Sequence, residues 1–311
     1  MTDLETSLII ARKLEAAGAH DPSLAMLEPL EIIRHVPAKR VIFRAMFRET
    51  RAVVRLSLRP DGGATAAEWD EMQRLWPHMA EGRFRIARPL HACPGHGVII
   101  VEDVRGVPLL EHLRSLAPPA RPPWLHAAAD WLRASTAMSE SWRPAAPEGW
   151  LRRAESAAEQ QPFAQIAAHE AGILAEMQRL AARMDATQWR VAITHGDFHP
   201  NNLIAEGDRL TGIDTGGSHR LPIYKDMARF LMHLGRRRIN LGGPRRFGVS
   251  RAGLDAFAAA FALAPVEREL FLPFMLGFEA LIRVESSVLP QSRIVRAEKM
   301  AQELLEDLRA L

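Results

Sequence analysis

Residues 191–217 read VAITHGDFHPNNLIAEGDRLTGIDTGG. This stretch begins with a short apolar strand, continues through a polar loop to the apolar residues LIA, turns at GD, and ends with an apolar pair before Asp214. Short apolar runs bounded by turn residues are typical of strands joined in a hairpin. The pattern therefore predicts two polar clusters, one around Asp197 and one at Asp214, each at the end of a short strand.

Asp197, Asn202 and Asp214 bring to these clusters the oxygen atoms that phosphoryl transfer requires. That reaction needs a carboxylate to orient and deprotonate the attacking hydroxyl, and oxygen ligands to hold Mg²⁺ on the phosphates. A carboxylate and an amide five residues apart in one loop suit the acceptor hydroxyl and the metal. A second carboxylate from the next hairpin completes the metal site, so the spacing predicts an ATP- and Mg²⁺-dependent phosphotransferase.

HGDFHPNNL followed by IDTGG resembles the signature of the aminoglycoside phosphotransferase and choline kinase family, which has a protein-kinase-like fold. The resemblance implies that Asp197 is the catalytic base, that Asn202 is a magnesium ligand and that Asp214 is the metal-binding aspartate. It also implies supporting roles for a buried His195 and for Asp226, which opens KDMARFLMHL. His199 and Asn201 in the same loop are expected to stabilise the loop by hydrogen bonds rather than to bind ligands.

The rest of the chain predicts an α+β protein with a two-lobed, protein-kinase-like fold. From about Leu30 to Leu58, apolar and β-branched residues alternate with arginine, which predicts antiparallel strands with a hairpin turn at RET. Before them, residues 3–17 form a predicted helix with Leu4, Leu8, Ile9 and Leu14 on its apolar face. Beyond residue 106 the periodicity is helical, near 122–138, 163–184, 226–236, 252–263 and 292–310. We therefore expect a nucleotide-binding lobe at 1–103, and a helical lobe with the catalytic loop and substrate pocket at 104–311.

In the small lobe, Arg55 of AVVRLSL occupies the position where the resemblance implies a basic residue that binds the α- and β-phosphates. Lysine is more familiar there, but arginine is also a competent phosphate ligand. Glu68 shares a helical face with apolar residues and is the predicted ion-pair partner of Arg55. Glu71 is the alternative partner, because Thr65 and Glu68 also fit a capping box at the start of that helix.

Two further small-lobe segments are expected to contact the nucleotide. No glycine-rich loop is visible, and the turn HVPAKR between the first strands offers Lys39 as its phosphate-directed group. The hinge is expected in VEDVRG, where backbone groups from Glu102 to Val104 would hydrogen-bond adenine. The missing glycine loop and Arg55 motivate a rival hypothesis, that the chain is a nucleotide-binding pseudokinase with a regulatory or scaffold role.

The bulk composition excludes some classes of protein. The 311 residues are 48% hydrophobic and 25% charged, with a formal net charge of +3, far below that of a dedicated nucleic-acid binder. The single cysteine, Cys93, has no metal-ligand spacing around it. We find neither a signal peptide nor an apolar run of membrane-spanning length, and expect a cytoplasmic monomer or homodimer with a small-molecule hydroxyl substrate.

The identity of the phosphate acceptor is left open by the sequence. Aminoglycosides would need a cluster of carboxylates, and choline would favour an aromatic cage, whereas Trp124 and Trp131 have the spacing of core residues. An arginine cluster in GRRRINLGGPRRFG would recognise an anionic sugar or a membrane surface, or would be a solvated loop. Its members are Arg236, Arg237, Arg238, Arg245 and Arg246. This run motivates a second alternative, a kinase for an envelope-linked sugar. His219 and Arg220 are candidate acceptor contacts because they follow the IDTGG turn.

Overall fold

The computed structural model describes residues 3–59, 63–215, 219–237, 239–283 and 288–311, without the side chain of Asp3. Arg238 and the two glycines that end IDTGG lie outside the described residues. The chain forms two compact units, Met1–Gly106 with Glu206–Ser218, and Val107–Ala205 with His219–Leu311. The functional division of the chain at residue 103 stays a prediction.

A five-stranded antiparallel sheet is the centre of the first unit, with the strand order β1-β2-β3-β6-β5. Its strands are β1 (Leu27–Val36), β2 (Arg40–Phe47), β3 (Thr50–Ser57), β5 (Pro89–Cys93) and β6 (Val98–Glu102). Alternate residues of β2 and β3 are fully buried, with Phe43 paired to Val54. The sheet therefore has the period-2 pattern that the sequence predicted, and the α+β class is confirmed.

The first helix, α1 (Asp3–Gly18), packs on one face of this sheet. Its packed face contains Ile10 and Ala17, with Leu14 partly buried beside them. Leu4 and Leu8 are 71% and 51% exposed, so the predicted apolar face was wrong in its first half. The contact follows the spacing i, i+4 and i+7 that begins at residue 10.

The opposite face of the sheet packs against α2 (Gly63–Met79), and Arg55 lies on this side. Val53 of β3 and Met72 of α2 belong to the same apolar cluster. The short strand β4 (Phe84–Ile86) pairs in parallel with β11 (Arg209–Gly212). Asp214 follows β11 by two residues, and both belong to the first unit.

The second unit is mainly helical. Its helices are α3 (Leu109–Ser115), α4 (Pro122–Thr136), α5 (Glu148–Ala158), α6 (Ala164–Ala182), α7 (Tyr224–Arg236), α8 (Arg251–Ala260), α9 (Leu272–Leu281) and α10 (Gln291–Arg309). Its strands are β7 (Val107–Pro108), β8 (Ser141–Pro144), β9 (Gln188–Ile193), β10 (Leu203–Glu206), β12 (Arg220–Pro222), β13 (Arg245–Arg246) and β14 (Val249–Ser250). The sequence did not predict α3, α5 and α9. No helix in the described ranges combines the length and apolarity needed to cross a membrane.

An aromatic cluster forms part of the core of the second unit and includes a residue of the polar loop. Phe198 is fully buried and stacks on Trp131 at a centroid distance of 5.6 Å and on Phe230 at 5.2 Å. Phe257 meets Phe230 edge-on at 5.5 Å. Trp131 is therefore a core residue, as its spacing predicted, and the ring of Phe198 attaches the loop to α4 and α7.

Gly248 ends the two-residue turn between β13 and β14, and we predict that its substitution by alanine is costly. Its φ is 69°, and a Cβ there would lie 2.6 Å from the carbonyl oxygen of Met300. Gly243 is the matched control, because its φ is 71° and no atom would meet its Cβ within 4 Å. We expect Gly248→Ala to lower the free energy of unfolding by about 2–4 kcal/mol and Gly243→Ala by about 1 kcal/mol, measured by urea denaturation. Equal losses would show that the close approach to Met300 contributes nothing.

Candidate active site

The polar loop after β9 is fixed at Gly196, immediately before Asp197. Gly196 has a φ of 81°, a conformation that favours glycine, and its amide donates a 3.2 Å hydrogen bond to Oδ2 of Asp226. Asp226 is fully buried in the first turn of α7, where the helix dipole favours a carboxylate. Lys225 also donates from Nζ to the carbonyl of Gly196. The start of α7 therefore holds the backbone on the N-terminal side of Asp197.

Asn202 holds the same loop on its C-terminal side. Its side-chain Nδ2 donates a 3.0 Å hydrogen bond to the backbone carbonyl of Asp197. Its backbone N–H donates to the carbonyl of His199 at 2.9 Å. The side chain is buried. Since Nδ2 is used inside the loop, the amide oxygen is the atom of Asn202 suited to a metal ion.

The carboxylate of Asp197 is 51% exposed and is contacted by two arginines and a histidine. Arg229 Nε donates to its Oδ1 at 2.9 Å, and Arg283 Nη2 lies 3.7 Å from the same oxygen. His199 Nε2 lies 3.5 Å from Oδ2. Burial acts to raise the pKa of Asp197, but the hydrogen bond from His199 and the charge of Arg229 hold the pKa well below its usual range. Asp197 is therefore ionised at every physiological pH.

Behind these arginines lies Glu279, a fully buried carboxylate on α9. One of its oxygens is 3.9 Å from Arg229 and 3.9 Å from Arg283. Burial raises the pKa of Glu279, and the charges of Lys225 and Arg229 oppose this shift. Glu279 and Asp197 thus share the same two guanidinium groups, one carboxylate inside the protein and the other at its surface.

In the first unit, Arg55 contacts two carboxylates with one nitrogen. Its Nη1 meets Oε1 of Glu68 and lies 2.6 Å from Oδ1 of Asp214. Burial and the charge of Asp214 raise the pKa of Glu68, opposed by Arg55 and Arg40. The other candidate partner, Glu71, binds Arg74 at 2.6 Å instead.

The residues that would hold a metal ion have the donor atoms that Mg²⁺ prefers. Within the described ranges, no three His, Cys, Asp or Glu side chains are grouped to hold a metal by themselves. Mg²⁺ usually takes one or two protein carboxylates and completes its octahedron with phosphate oxygens and water. An amide oxygen on Asn202 and the partly exposed carboxylate of Asp214 fit that chemistry.

The predicted nucleotide contacts in the first unit lie in different environments. Lys39 is exposed in the turn between β1 and β2. Glu102 forms two hydrogen bonds with Arg85, at 2.9 and 2.7 Å. Its amide donates to the carbonyl of Arg88, so this backbone donor of the predicted hinge is already used. Val104 is partly buried against the α2 side of the sheet.

His195, His219 and Arg220 lie around β9 and β12. His195 is buried against Trp131 and Phe198, in agreement with a supporting position. Arg220 donates to the carbonyl of Ser139 at 2.6 Å, and the carbonyl of His219 accepts from Thr194. Among the described contacts of Asp197, neither His219 nor Arg220 is present.

The predicted arginine cluster is divided by the fold. Arg236 and Arg237 line a cavity in the second unit. Arg245 forms a 2.9 Å ion pair with Glu303, and Arg246 stacks over Phe247. Arg238 lies outside the described residues. The four described arginines therefore do not form one basic surface, because Arg245 and Arg246 on β13 have other partners.

The sequence interpretation missed Arg229, Arg283 and Glu279. One signal was present: Arg229 and His233 lie four residues apart on α7, with Arg236 and Arg237 one turn further. A polar stripe on a helix that is otherwise buried indicates a functional face. Nothing in the sequence indicated that residues of α9 would meet this stripe.

The sequence from residue 35 to residue 240 matches the model of a family described as the phosphotransferase enzyme family. These residues are about two thirds of the chain. No curated protein sequence matches the chain.

Several solved structures have a similar fold. An amicoumacin kinase in complex with AMP-PNP and Ca²⁺ has a TM-score of 0.59 at 10% identity, covering 95% of this chain and 96% of that one. A glucosamine kinase has a TM-score of 0.59 at 17% identity, covering 96% and 84%. A choline/ethanolamine kinase family protein from Mesorhizobium loti has a TM-score of 0.59 at 16% identity, covering 96% and 99%. The predicted protein-kinase-like fold is thereby confirmed.

We predict that His233 makes the protein less stable in acid. Burial, followed by the charges of neighbouring His199 and Arg229, lowers the pKa of His233 to about 3. Below pH 6.5 an unfolded chain binds a proton at this histidine and the folded chain does not, so stability falls as the pH drops from about 6.5 towards 3. Wild-type protein should lose up to about 1.4 kcal/mol more per pH unit than His233→Gln, measured by urea denaturation between pH 7 and 4.5. Parallel pH profiles would contradict the neutral, buried histidine.

Proposed function

The chain belongs to the phosphotransferase enzyme family, and on this premise we propose that it transfers the γ-phosphate of ATP, with Mg²⁺, to a hydroxyl group of a small metabolite. Atoms balance in the usual way. The bond between the γ-phosphorus and its bridging oxygen breaks, a bond between that phosphorus and the acceptor oxygen forms, and the hydroxyl proton is released.

The observation that supports this proposal most is that the backbone of Asp197 is held in place while its carboxylate is exposed. Its backbone is held on both sides, by Asp226 through Gly196 and by Asn202. Its carboxylate is half exposed, at the surface of a loop whose other anchor is a fully buried phenylalanine ring. A scaffold protein has no physical need to hold one ionised carboxylate in this manner.

In the proposed reaction Asp197 accepts a hydrogen bond from the acceptor hydroxyl and orients its oxygen. Because its pKa is lowered, the carboxylate of Asp197 is a weak base. It therefore takes the proton late, when the bond to phosphorus has formed. A loose transition state for phosphoryl transfer suits this order, because the nucleophile carries little charge early in the reaction. Arg229 and Arg283 keep the carboxylate ionised and fix its orientation.

Nucleotide binding is assigned by this proposal to the first unit. Arg55 would bind the α- and β-phosphates while Glu68 holds its guanidinium, with Lys39 as a further cation. The backbone carbonyl of Glu102 and the backbone of Val104 would contact the adenine, since the amide of Glu102 is hydrogen-bonded to the carbonyl of Arg88. Asn202 and Asp214 would be the protein ligands of Mg²⁺. The metal, when bound with the nucleotide, neutralises phosphate charge.

The acceptor class is supported by the fold neighbours as well as by the family. Their names describe kinases for amicoumacin and glucosamine and a choline/ethanolamine kinase family protein. All three names point to small molecules, which favours a small metabolite as the acceptor of this chain.

The rival hypothesis, a nucleotide-binding pseudokinase, has one observation in its favour. Arg55 is engaged by both Glu68 and Asp214, so two groups of the proposed nucleotide site neutralise each other. The enzyme hypothesis requires Asp214 to exchange Arg55 for the metal when nucleotide binds. A pseudokinase would bind ATP without any dependence of turnover on Asp197.

We predict that Asp197→Asn lowers kcat by about 10²–10⁴-fold and leaves the binding of Mg²⁺-ATP intact, because the group acts on the acceptor. Asn202→Ala and Asp214→Ala should instead weaken Mg²⁺-nucleotide binding. Transfer from labelled ATP to a panel of hydroxyl metabolites measures the first effect, and calorimetric titration with Mg²⁺-ATP measures the second.

Asp208→Ala is the matched control, because it removes an exposed aspartate from the neighbouring turn and should change neither quantity. If the wild-type protein binds ATP but shows no transfer and no hydrolysis sensitive to Asp197→Asn, the enzyme hypothesis is wrong. Equal losses in all three site variants, with lowered thermal stability, would indicate a folding role for these residues.

A further inference from the structure

A cavity of about 520 Å³ in the second unit is strongly cationic. Seven of its lining residues are arginines, and none of the lining residues in the described part of the chain is Asp or Glu. We call it the arginine pocket. The arginines are contributed by α3 (Arg114), α7 and the residue after it (Arg229, Arg236, Arg237), the second residue after α9 (Arg283), and α10 (Arg293, Arg296).

Arginines from four helical elements line this pocket, and this distinguishes it from a solvated run of basic residues. Arg229 and Arg236 are seven residues apart on α7, so they share one face of that helix, and Arg237 follows its last residue. Arg293 and Arg296 share a face of α10 by the same rule. Residues from two helical faces and two helix ends thus line one concave site. The guanidinium groups of Arg236 and Arg296 donate hydrogen bonds to backbone carbonyls.

The positive charge of the pocket is only partly balanced. Arg229 and Arg283 pair with Asp197 and approach Glu279. Arg114, Arg237 and Arg293 form no ion pair with a carboxylate in the described parts of the chain. Several like charges held within one cavity repel one another, and an anionic ligand would relieve this repulsion.

Two titratable groups in the wall have a lowered pKa, for which burial is the first cause and the neighbouring cations the second. Burial and the surrounding cations lower the pKa of His233, as described above. Burial and the charge of Arg229 also lower the pKa of Arg283, even though two carboxylates oppose that shift. Additional positive charge is therefore disfavoured in the pocket, which argues against a cationic ligand.

Asp197 marks the edge of the pocket, because Arg229 and Arg283 belong both to the wall and to its ion pairs. We propose that the phosphate acceptor is itself a phosphate ester, a small phosphorylated hydroxy compound such as a sugar phosphate. Its phosphate group binds the arginine pocket while its free hydroxyl lies against Asp197. Guanidinium forks match the geometry of phosphate oxygens, and several of them suit a dianion.

This inference rests on the proposed function and gives it a substrate class. The reaction converts a monophosphate ester and ATP into a bisphosphate ester, ADP and a proton. A reaction that phosphorylates a hydroxyl compound must supply the substrate.

The test uses the purified full chain and a panel of sugar phosphates, the corresponding sugars, and glucosamine as a cationic acceptor. Transfer from labelled ATP should be at least about 10-fold more efficient in kcat/KM for phosphorylated members than for their neutral counterparts. Inorganic phosphate should inhibit in competition with the acceptor. A double variant, Arg237→Gln with Arg293→Gln, should raise KM for the acceptor by about 10- to 100-fold.

The matched control is the double variant Arg245→Gln with Arg246→Gln, which removes the same charge outside the pocket and should stay within about twofold of wild type. Thermal denaturation and calorimetric titration with inorganic phosphate give readouts independent of turnover. The pocket variant should keep its melting temperature and lose phosphate binding.

The outcomes separate the two proposals. Transfer to neutral or cationic acceptors that depends on Asp197, without any preference for phosphorylated ones, overturns this inference and leaves the proposed function intact. Phosphate inhibition in competition with Mg²⁺-ATP also overturns it, because the anion would then occupy the nucleotide site. If phosphate binds but no acceptor is phosphorylated, the proposed function fails, and the assignment of the pocket to an acceptor fails with it.

Discussion

The burial of one aromatic ring sets the geometry of the candidate site. Phe198 is packed between Trp131 and Phe230, and it follows directly after Asp197 in the chain. A loop with a core residue in its middle cannot shift without opening the core, and this is a large cost in a close-packed interior. The hydrogen bonds from Gly196 to Asp226 and from Asn202 to the loop backbone then have fixed partners. Asp197 is consequently held as firmly as a residue of a regular element, although it lies in a loop.

How much of this site was visible in the sequence depended on whether its residues were neighbours in the chain. Asp197, Asn202 and Asp214 belong to one continuous segment, and their spacing indicated a site, whereas Asp226 was indicated by the resemblance to a family. Glu279 was invisible for two reasons. Helix α9 is buried over its whole length, so it lacks the amphipathic period that reveals a helix. A single carboxylate in such a segment also has no local partner, since its cations come from α7 and from beyond the end of α9.

The residues proposed to bind the acceptor were equally hard to predict from the sequence, because charged residues that are neighbours in the chain separate in the fold. In the sequence, the basic residues near 236–246 form one run, and the fold distributes the four that the structure describes among a cavity, an ion pair and an aromatic ring. The helical periodicity of α7 would have predicted the site better, because Arg229 and His233 lie on the face that Arg236 and Arg237 extend. Local charge density in a sequence thus says less about recognition than the helical face on which each charge is placed.

The ion pair between Asp197 and Arg229 also bears on the competition between water and an acceptor hydroxyl for the phosphoryl group. Water competes with any acceptor hydroxyl for a phosphoryl group, and it always surrounds an open site. A carboxylate already engaged by guanidinium groups is a poor partner for a small, mobile water molecule. An acceptor whose own anionic group is held in the arginine pocket would place its hydroxyl at the carboxylate while Arg229 and Arg283 keep that carboxylate oriented. In the proposed reaction the bound hydroxyl would then be favoured over water.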